Sequence, residues 1–325
     1  MKAWLAAALL LVALPAAALD LEGHRGARGL FPENTLPAFA AALSIGVTTL
    51  EFDTGVTRDG VVVVSHNRRL DASITRDASG AWLEHEGPAI RSLTLAELKR
   101  YDVGGIRPGS DYAKSFPAQR AIPGTSMPTL HELAELVRKS GNDRVRFNLE
   151  TKLSPLAPDE APDPETFAAA IVAAVHAEGI ASRTMIQSFD WRTLLLVQRL
   201  APELPTVYLT LERGAGANIW RGRPERSPWL AGFDPKEHGD SVPRTIKTAG
   251  GRIWSPNYRD VTDAALAEAK SLGLETVVWT VNDEAEMRLL IKRGVDGIIS
   301  DYPDRLRAVA AALGLPLPKA TPVEP

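Results

Sequence analysis

Read from its first residue, the chain alternates short apolar runs with stretches in which apolar residues recur every three or four positions. That alternation predicts strand and helix in turn. Apolar runs at Leu19–Gly23, Val47–Asp53, Val61–Ser65, Arg144–Glu150, Thr184–Phe189, Thr206–Leu211, Arg252–Ser255, Thr276–Val281 and Gly297–Ser300 predict strands. Helical spacing predicts helices over Ala38–Ile45, Leu130–Lys139, Glu165–Glu178, Trp191–Leu200, Val242–Ala249, Asp263–Leu272, Glu284–Arg293 and Arg305–Leu313. Asn34 or Thr35 suits the cap of the first helix, Pro37 suits its first turn, and Gly46 stops it. Strand, helix and strand in that order predict a parallel pair with a right-handed crossover. The second and third strands break the rhythm. Only a short link containing Asp59-Gly60 joins them, too short for a crossover helix, so the third should run antiparallel to the second.

Continued over most of the chain, the pattern predicts an α/β fold, a (β/α)8 TIM-type barrel with an insertion after the third strand. Nine strand candidates are one more than the ring needs. Either Val61–Ser65 or one of the weaker later strands should lie outside it. The insertion is expected over residues 68–127, where glycine and proline pairs leave one short helix, Leu93–Tyr101, entered at Thr94. The barrel domain is expected to span 19–314, and the proline-bearing stretch 315–325 reads as a flexible tail.

Composition narrows the setting. Residues 1–18 carry Lys2, an apolar run from Ala3 to Leu14, a breaking Pro15 and then Ala16-Ala17-Ala18, the pattern of a cleaved signal peptide. The run is shorter than the roughly 20 residues of a spanning helix, so no membrane span is expected and the destination is periplasmic or secreted. The chain has no cysteine, which excludes disulfides, thiolate metal sites and cysteine nucleophiles. A net charge of −3 gives no general attraction for nucleic acid.

Candidate chemistry gathers at the predicted strand ends, where barrels display reactive groups. Glu51 and Asp53 are two apart on a strand and share a face, with Leu50 and Phe52 on the other. Adjacent carboxylates repel unless a cation lies between them. Asn148, Glu150 and Lys152 show the same alternation. Three convergent carboxylates offer hard oxygen ligands, suiting one divalent cation, Ca2+ or Mg2+, better than zinc. His24 and His66 each follow an apolar run, and two imidazoles near neutral pH can accept and donate a proton. Arg25 and Lys152 add positive charge that suits an anionic substrate, or that pairs with the neighbouring carboxylates.

These residues resemble a known family. His24-Arg25-Gly26, Pro32-Glu33-Asn34-Thr35, Glu51-x-Asp53, Asp59-Gly60 before valines and His66, and Glu150-x-Lys152 match glycerophosphodiester phosphodiesterases in order. So do Gln187-Ser188-Phe189-Asp190, Trp279-Thr280-Val281-Asn282 and Asp296-Gly297-Ile298-Ile299-Ser300-Asp301. The family belongs to the phospholipase C-like phosphodiesterase superfamily of barrels and splits small-molecule glycerophosphodiesters into glycerol 3-phosphate and an alcohol. Carried over, the resemblance implies Glu51, Asp53 and Glu150 as metal ligands and His24 and His66 as the acid–base pair. It implies Arg25 and Lys152 on the phosphate, with Phe189 and Trp279 walling a glycerol pocket. Asn67 departs from the family's usual aspartate, and Ala72-Ser73-Ile74-Thr75 from its Arg-Thr-Thr.

Two rival readings accompany this one: a related phosphodiesterase acting on lysophospholipids or sphingolipids, and a barrel that binds without turnover. Glu84-His85-Glu86 reads as a solvated face, and His131 and His176 as surface or packing residues. The stretch 212–240 is long enough for a substrate lid or an ordinary surface excursion.

Overall fold

A computed structural model describes residues 19–325; the expected signal segment, 1–18, lies outside the described residues. Among the described residues nine strands form one sheet. They are β1 (Asp20–Gly23), β2 (Thr49–Val56), β3 (Val62–Val64), β4 (Arg146–Thr151), β5 (Thr184–Ser188), β6 (Thr206–Thr210), β7 (Ile253–Pro256), β8 (Glu275–Val278) and β9 (Gly297–Ser300). Eight of them close a parallel barrel in the order β1-β2-β4-β5-β6-β7-β8-β9. The seam is made by β1, which pairs with β2 at Gly23–Leu50 and with β9 at Gly23–Ser300. The ninth, β3, pairs antiparallel with β2 through Val56–Val62 and stands outside the ring, as the Asp59-Gly60 turn implied.

The crossover helices are α1 (Leu36–Ile45), α4 (Leu130–Lys139), α5 (Pro164–Ala177), α6 (Trp191–Leu200), α7 (Val242–Thr248), α8 (Asp263–Ser271), α9 (Glu284–Arg293) and α10 (Pro303–Ala312). Two short helices, α2 (Leu95–Leu98) and α3 (Asp111–Ser115), lie in the insertion. Their ends follow local chemistry. Thr35 caps α1 by accepting from the Ala38 amide, and Gly46, at φ 89°, closes it with its own N–H on the Ala42 carbonyl. Proline's fixed φ lets α5 and α10 begin one or two residues before the expected Glu165 and Arg305. The expected helix over 93–101 shortens to α2 because residues 100 and 101 bond three residues back rather than four.

Outward-facing strand residues meet the helices in the main core. Phe52 sits edge-on to Phe39 of α1 and to Phe147 of β4, with ring centroids 5.9 and 6.3 Å away. The alternate residues face the barrel lumen, which is apolar on one side (Met185, Val207, Ile253, Val277, Ile299) and polar on the other. The insertion carries its own cluster of Leu70, Ile90, Leu98, Val103 and Met127 on Val63. Its far end reaches the loop after β1, where the Gln119 amide donates to the Arg28 carbonyl.

The stretch expected as a flexible tail has partners in the structure. Residues 315–325 carry no regular structure, yet they dock against the end of the barrel where the strands begin. The Thr321 N–H donates to the Leu43 carbonyl, Asn142 donates to the Thr321 hydroxyl, and Arg307 donates to the Pro318 carbonyl. Val323 packs on the main core. Proline content forbids a helix there but leaves the carbonyls free to accept. Among the described residues no helix is long and apolar enough to cross a membrane.

Candidate active site

The C-terminal ends of the strands open into a cavity of about 420 Å³ lined by His24, Arg25, Glu51, His66, Glu150, Lys152, Phe189 and Trp279. Asp53 lies just beneath, almost wholly buried. Larger grooves occur elsewhere on the surface, but this is the one at which these side chains converge.

The turn after β1 builds one wall. Arg25 adopts the left-handed conformation, φ 50°, and Gly26 follows at φ 85°. That conformation costs a residue with a side chain about 1–2 kcal/mol, and here it directs the Arg25 N–H onto Glu51 Oε2 at 2.9 Å. A Cβ on Gly26 would come within 2.7 Å of the Ala38 backbone, so only glycine lets the turn lie on α1. The Pro32–Thr35 segment then ties the turn to β2. Glu33 accepts from the Arg25 guanidinium at 2.8 Å, Asn34 donates to Asp53 Oδ2 at 2.9 Å, and Thr35 starts α1.

Glu51, Asp53 and Glu150 each present an oxygen within 4.8 Å of the others. The register explains this, because Asp53 of β2 sits beside Glu150 of β4. Burial, reinforced by the neighbouring Asp53 charge, pushes the Glu51 carboxyl well up. Burial pushes Glu150 to about 7 against the pull of Lys152. Burial would raise Asp53 too, but Arg25, His66 and Lys152 overrule it and hold that carboxyl far below the usual range. The oxygen-only donor set and the crowding of like charge fit a hard divalent cation.

Both cations expected on the phosphate are close to carboxylates. Arg25 Nε lies 3.2 Å from Asp53, while Lys152 Nζ lies 2.8 Å from Glu150 and 3.7 Å from Asp53. Lys152 also stands over the Phe189 ring, 5.8 Å from its centroid. Phe189 meets Trp279 edge-on at 5.4 Å.

The two imidazoles are oriented differently. Nδ1 of His24 donates to Asp301 Oδ1 at 2.6 Å, and Nε2 lies 3.9 Å from Glu51. Nδ1 of His66 donates to Asn67 Oδ1 at 2.7 Å, and the Asn67 amide nitrogen donates onward to Asp71 at 2.9 Å. The donation to Asp71 settles which end of the Asn67 amide faces His66. In both rings Nε2 is therefore the unprotonated nitrogen of the neutral form. Burial and Arg28 lower His24 to about 4 against the pull of Asp301. Burial, with Arg25 and Lys152, lowers His66 as well.

Sequence reasoning missed Arg28 and gave no role to Asp301, Asn282 and Gln187, which it met only as parts of matched motifs. Arg28 lines the cavity and clasps Asp301 with two N–H groups, at 2.8 and 3.1 Å, while Asn282 holds the same carboxylate at 2.7 Å. Gln187 donates to Glu51 Oε1 at 2.6 Å. Asp301 directly follows β9, the strand-end position that singled out the other residues, so that signal was available. Arg28 sits in a turn and carries no such signal. Leu209, Leu211, Gly216, Trp229 and Ile299 complete the apolar side of the cavity, so the 212–240 stretch does contribute to its wall. Glu84-His85-Glu86, His131 and His176 are exposed, as expected.

Residues 24–305 match the profile of the Glycerophosphoryl diester phosphodiesterase family. A glycerophosphodiester phosphodiesterase of Bacillus subtilis is 30% identical over 292 residues, covering 88% of this chain and 84% of its own. Another, from Caldanaerobacter subterraneus, is 28% identical over 87% of this chain and 94% of its own. A solved structure from Silicibacter pomeroyi, assigned as a glycerophosphoryl diester phosphodiesterase, is 38% identical with a TM-score of 0.80, covering 92% of this chain and 95% of its own. A phosphodiesterase of Oleispira antarctica, solved with the product sn-glycerol-3-phosphate, shares the fold at a TM-score of 0.65 and 22% identity, over 90% of this chain and 97% of its own.

Proposed function

This chain belongs to the glycerophosphoryl diester phosphodiesterase family, and we propose that it is an exported, metal-dependent enzyme that hydrolyses glycerophosphodiesters to sn-glycerol 3-phosphate and an alcohol. The observation that carries the reading is the meeting of three carboxylates, two histidines and three cationic side chains around one cavity. The product bound to the Oleispira relative agrees with a small phosphodiester as substrate.

Glu51, Asp53 and Glu150 are the residues that would hold the ion, Ca2+ or Mg2+. Bound there, it would supply Lewis-acid stabilisation of charge on the phosphoryl oxygens. The chain's own groups do the rest. Arg25, Arg28 and Lys152 draw the diester anion to the polar side, where they offset charge that builds up as water attacks phosphorus. The bond from phosphorus to the water oxygen forms while the bond to the alcohol oxygen breaks. One imidazole takes the proton of the attacking water at Nε2, and the other gives its Nε2 proton to the departing alkoxide. An anionic substrate raises the proton affinity of a nearby imidazole, and Asp301 favours the charged ring further. We assign His24 as the ring that carries the charge and His66, backed by an amide, as the neutral one.

Phe189 and Trp279 are assigned to the glycerol wall. The wider apolar side, with Leu211 and Trp229, favours a second reading in which a lysophospholipid is the substrate. Analysis of products from both substrate classes separates the two. Chelation tests the main reading: it should abolish release of sn-glycerol 3-phosphate from glycerophosphocholine, and Ca2+ or Mg2+ should restore it. Activity that survives thorough chelation removes the metal from the mechanism. Export rests on residues 1–18, and a mature chain starting at Leu19 in the periplasm or medium is the expected outcome.

A further inference from the structure

We infer that Glu22, buried in the barrel lumen below the cavity, is a neutral carboxylic acid that positions Glu51 through Asn148 and Gln187. Glu22 lies on β1 two residues before His24, so its side chain shares the lumen-facing side, and it is fully buried. Asn148 of β4 donates from its amide nitrogen to Glu22 Oε2 at 2.8 Å and to Gln187 Oε1 at 3.2 Å. Gln187 of β5 in turn donates from its own amide nitrogen to Glu51 Oε1 at 2.6 Å.

The directions of these bonds depend on one another. Both N–H groups of Asn148 are spent, one on Glu22 and one on the Gln187 carbonyl. That choice leaves Gln187 only its NH2 to offer Glu51. If Asn148 turned over, its carbonyl would call for the Gln187 NH2, and the Gln187 carbonyl would then face the Glu51 carboxylate. An acceptor at position 22 thus fixes which end of Gln187 meets a proposed metal ligand three hydrogen bonds away.

Two leftover atoms indicate the protonation state. Glu22 Oε1 and Asn148 Oδ1 are both buried and both lack a partner. With Glu22 ionised, each is an acceptor in a region short of donors, an arrangement native interiors avoid. A proton on Glu22 turns one of the two into a donor. The surroundings favour that proton. From its own strand Asp20 adds negative charge. Arg146 of β4, the cation that pulls the other way, is bound to Asp20 at 2.5 Å, and Glu275 of β8 offsets its charge further. Thr49 of β2 is neutral and bonded to Asp20, and Ile299 of β9 is apolar. Burial and Asp20 push the Glu22 carboxyl well above the ordinary range.

Glu22 touches no reacting group in this arrangement; it is a positioning residue, and the inference rests on the reading that Glu51 holds a divalent ion. The test compares Glu22→Gln, which mimics the neutral acid, with Glu22→Leu, which removes the acceptor. Calorimetric titration of the full chain with Ca2+ and Mg2+ should show wild-type affinity in Glu22→Gln and a loss of about 10–100-fold in Glu22→Leu. Isotope-edited infrared spectroscopy near neutral pH should show a protonated-carboxyl C=O band in the wild type that is absent from Glu22→Gln. The band is assigned to Glu22 by its loss in Glu22→Gln, because the raised Glu51 and Glu150 carboxyls remain in both spectra, so it decides the protonation state even where Glu22→Leu fails to fold. The inference is overturned by a missing band, by Glu22→Gln binding as weakly as Glu22→Leu, or by unchanged affinity in Glu22→Leu. Wild-type protein that binds neither ion would instead overturn the metal reading, with the infrared band still reporting on Glu22.

Discussion

Asp301 Oδ1 stands 2.6 Å from His24 Nδ1, which gives this histidine a carboxylate partner while His66 has only the amide of Asn67. The carboxylate does two things: it holds the ring with Nε2 toward Glu51, and it stabilises the imidazolium. Asp301→Asn should therefore lower kcat by about 10²–10⁴-fold, with a much smaller change in KM, because an amide can hold the ring but not favour its charge. His24→Ala and His66→Ala should each lose about 10²–10⁴-fold. Steady-state kinetics on the three variants checks this. Near wild-type turnover in Asp301→Asn would show that the contact serves packing alone.

The low proton affinity of His24 also has a stability signature. Its folded value of about 4 lies below its ordinary 6.5, so at pH values between the two the unfolded chain binds a proton that the folded chain refuses. Folding stability from this group is unchanged above 6.5 and falls as pH drops toward 4, by about 3 kcal/mol in all. His24→Gln removes the titration. Denaturant unfolding from pH 7 to 4 should show wild type losing stability relative to His24→Gln across that window. Parallel curves would mean that the ring takes up its proton without penalty in the folded state.

Much of this site was legible because strands have a period of two. Glu51 with Asp53, and Asn148 with Glu150 and Lys152, alternate with buried apolar residues, and that pattern names both the strand and its polar face. Periodicity says nothing about partners distant in sequence, and Asp301 meets His24 across 277 positions. Glu22 was hidden for a different reason: on a four-residue strand a single acidic side chain cannot be told from one that faces water. The contacts of the closing segment were not legible because composition reports only which regular structures a stretch can form. It does not report whether carbonyls such as that of Pro318 find a donor like Arg307.

Asn67 is where the chain departs from the family's usual aspartate, and its amide is bonded on both sides, to His66 and to Asp71. Its amide donates to Asp71, whose other oxygen accepts from the Ser73 N–H and shapes the turn that follows. An aspartate at 67 would set two carboxylates face to face at hydrogen-bonding distance. Asn67→Asp should destabilise the fold by about 1–3 kcal/mol, and Asp71→Asn in the same chain should recover most of that loss. A double-mutant cycle by denaturant unfolding measures the coupling. Additive losses would mean that residues 67 and 71 do not act as a pair.

The docked segment 315–325 offers a way to separate stability from catalysis. Its contacts lie at the end where the strands begin: Thr321 on Leu43, Asn142 on Thr321, Lys139 on the Glu324 carbonyl and Arg307 on the Pro318 carbonyl. The cavity opens at the other end, and in barrels that division separates groups that stabilise from groups that react. Each of these partly exposed hydrogen bonds contributes about 0.5–1.5 kcal/mol, and Val323 adds apolar burial on the core. Deleting residues 315–325 should therefore cost about 2–5 kcal/mol and lower Tm by several degrees. The same deletion should leave kcat/KM at 25 °C within about twofold of the full chain, because no side chain of the cavity touches the segment. A truncated chain with normal Tm but impaired turnover would reverse this assignment and tie the segment to the strand-end chemistry across the length of the barrel.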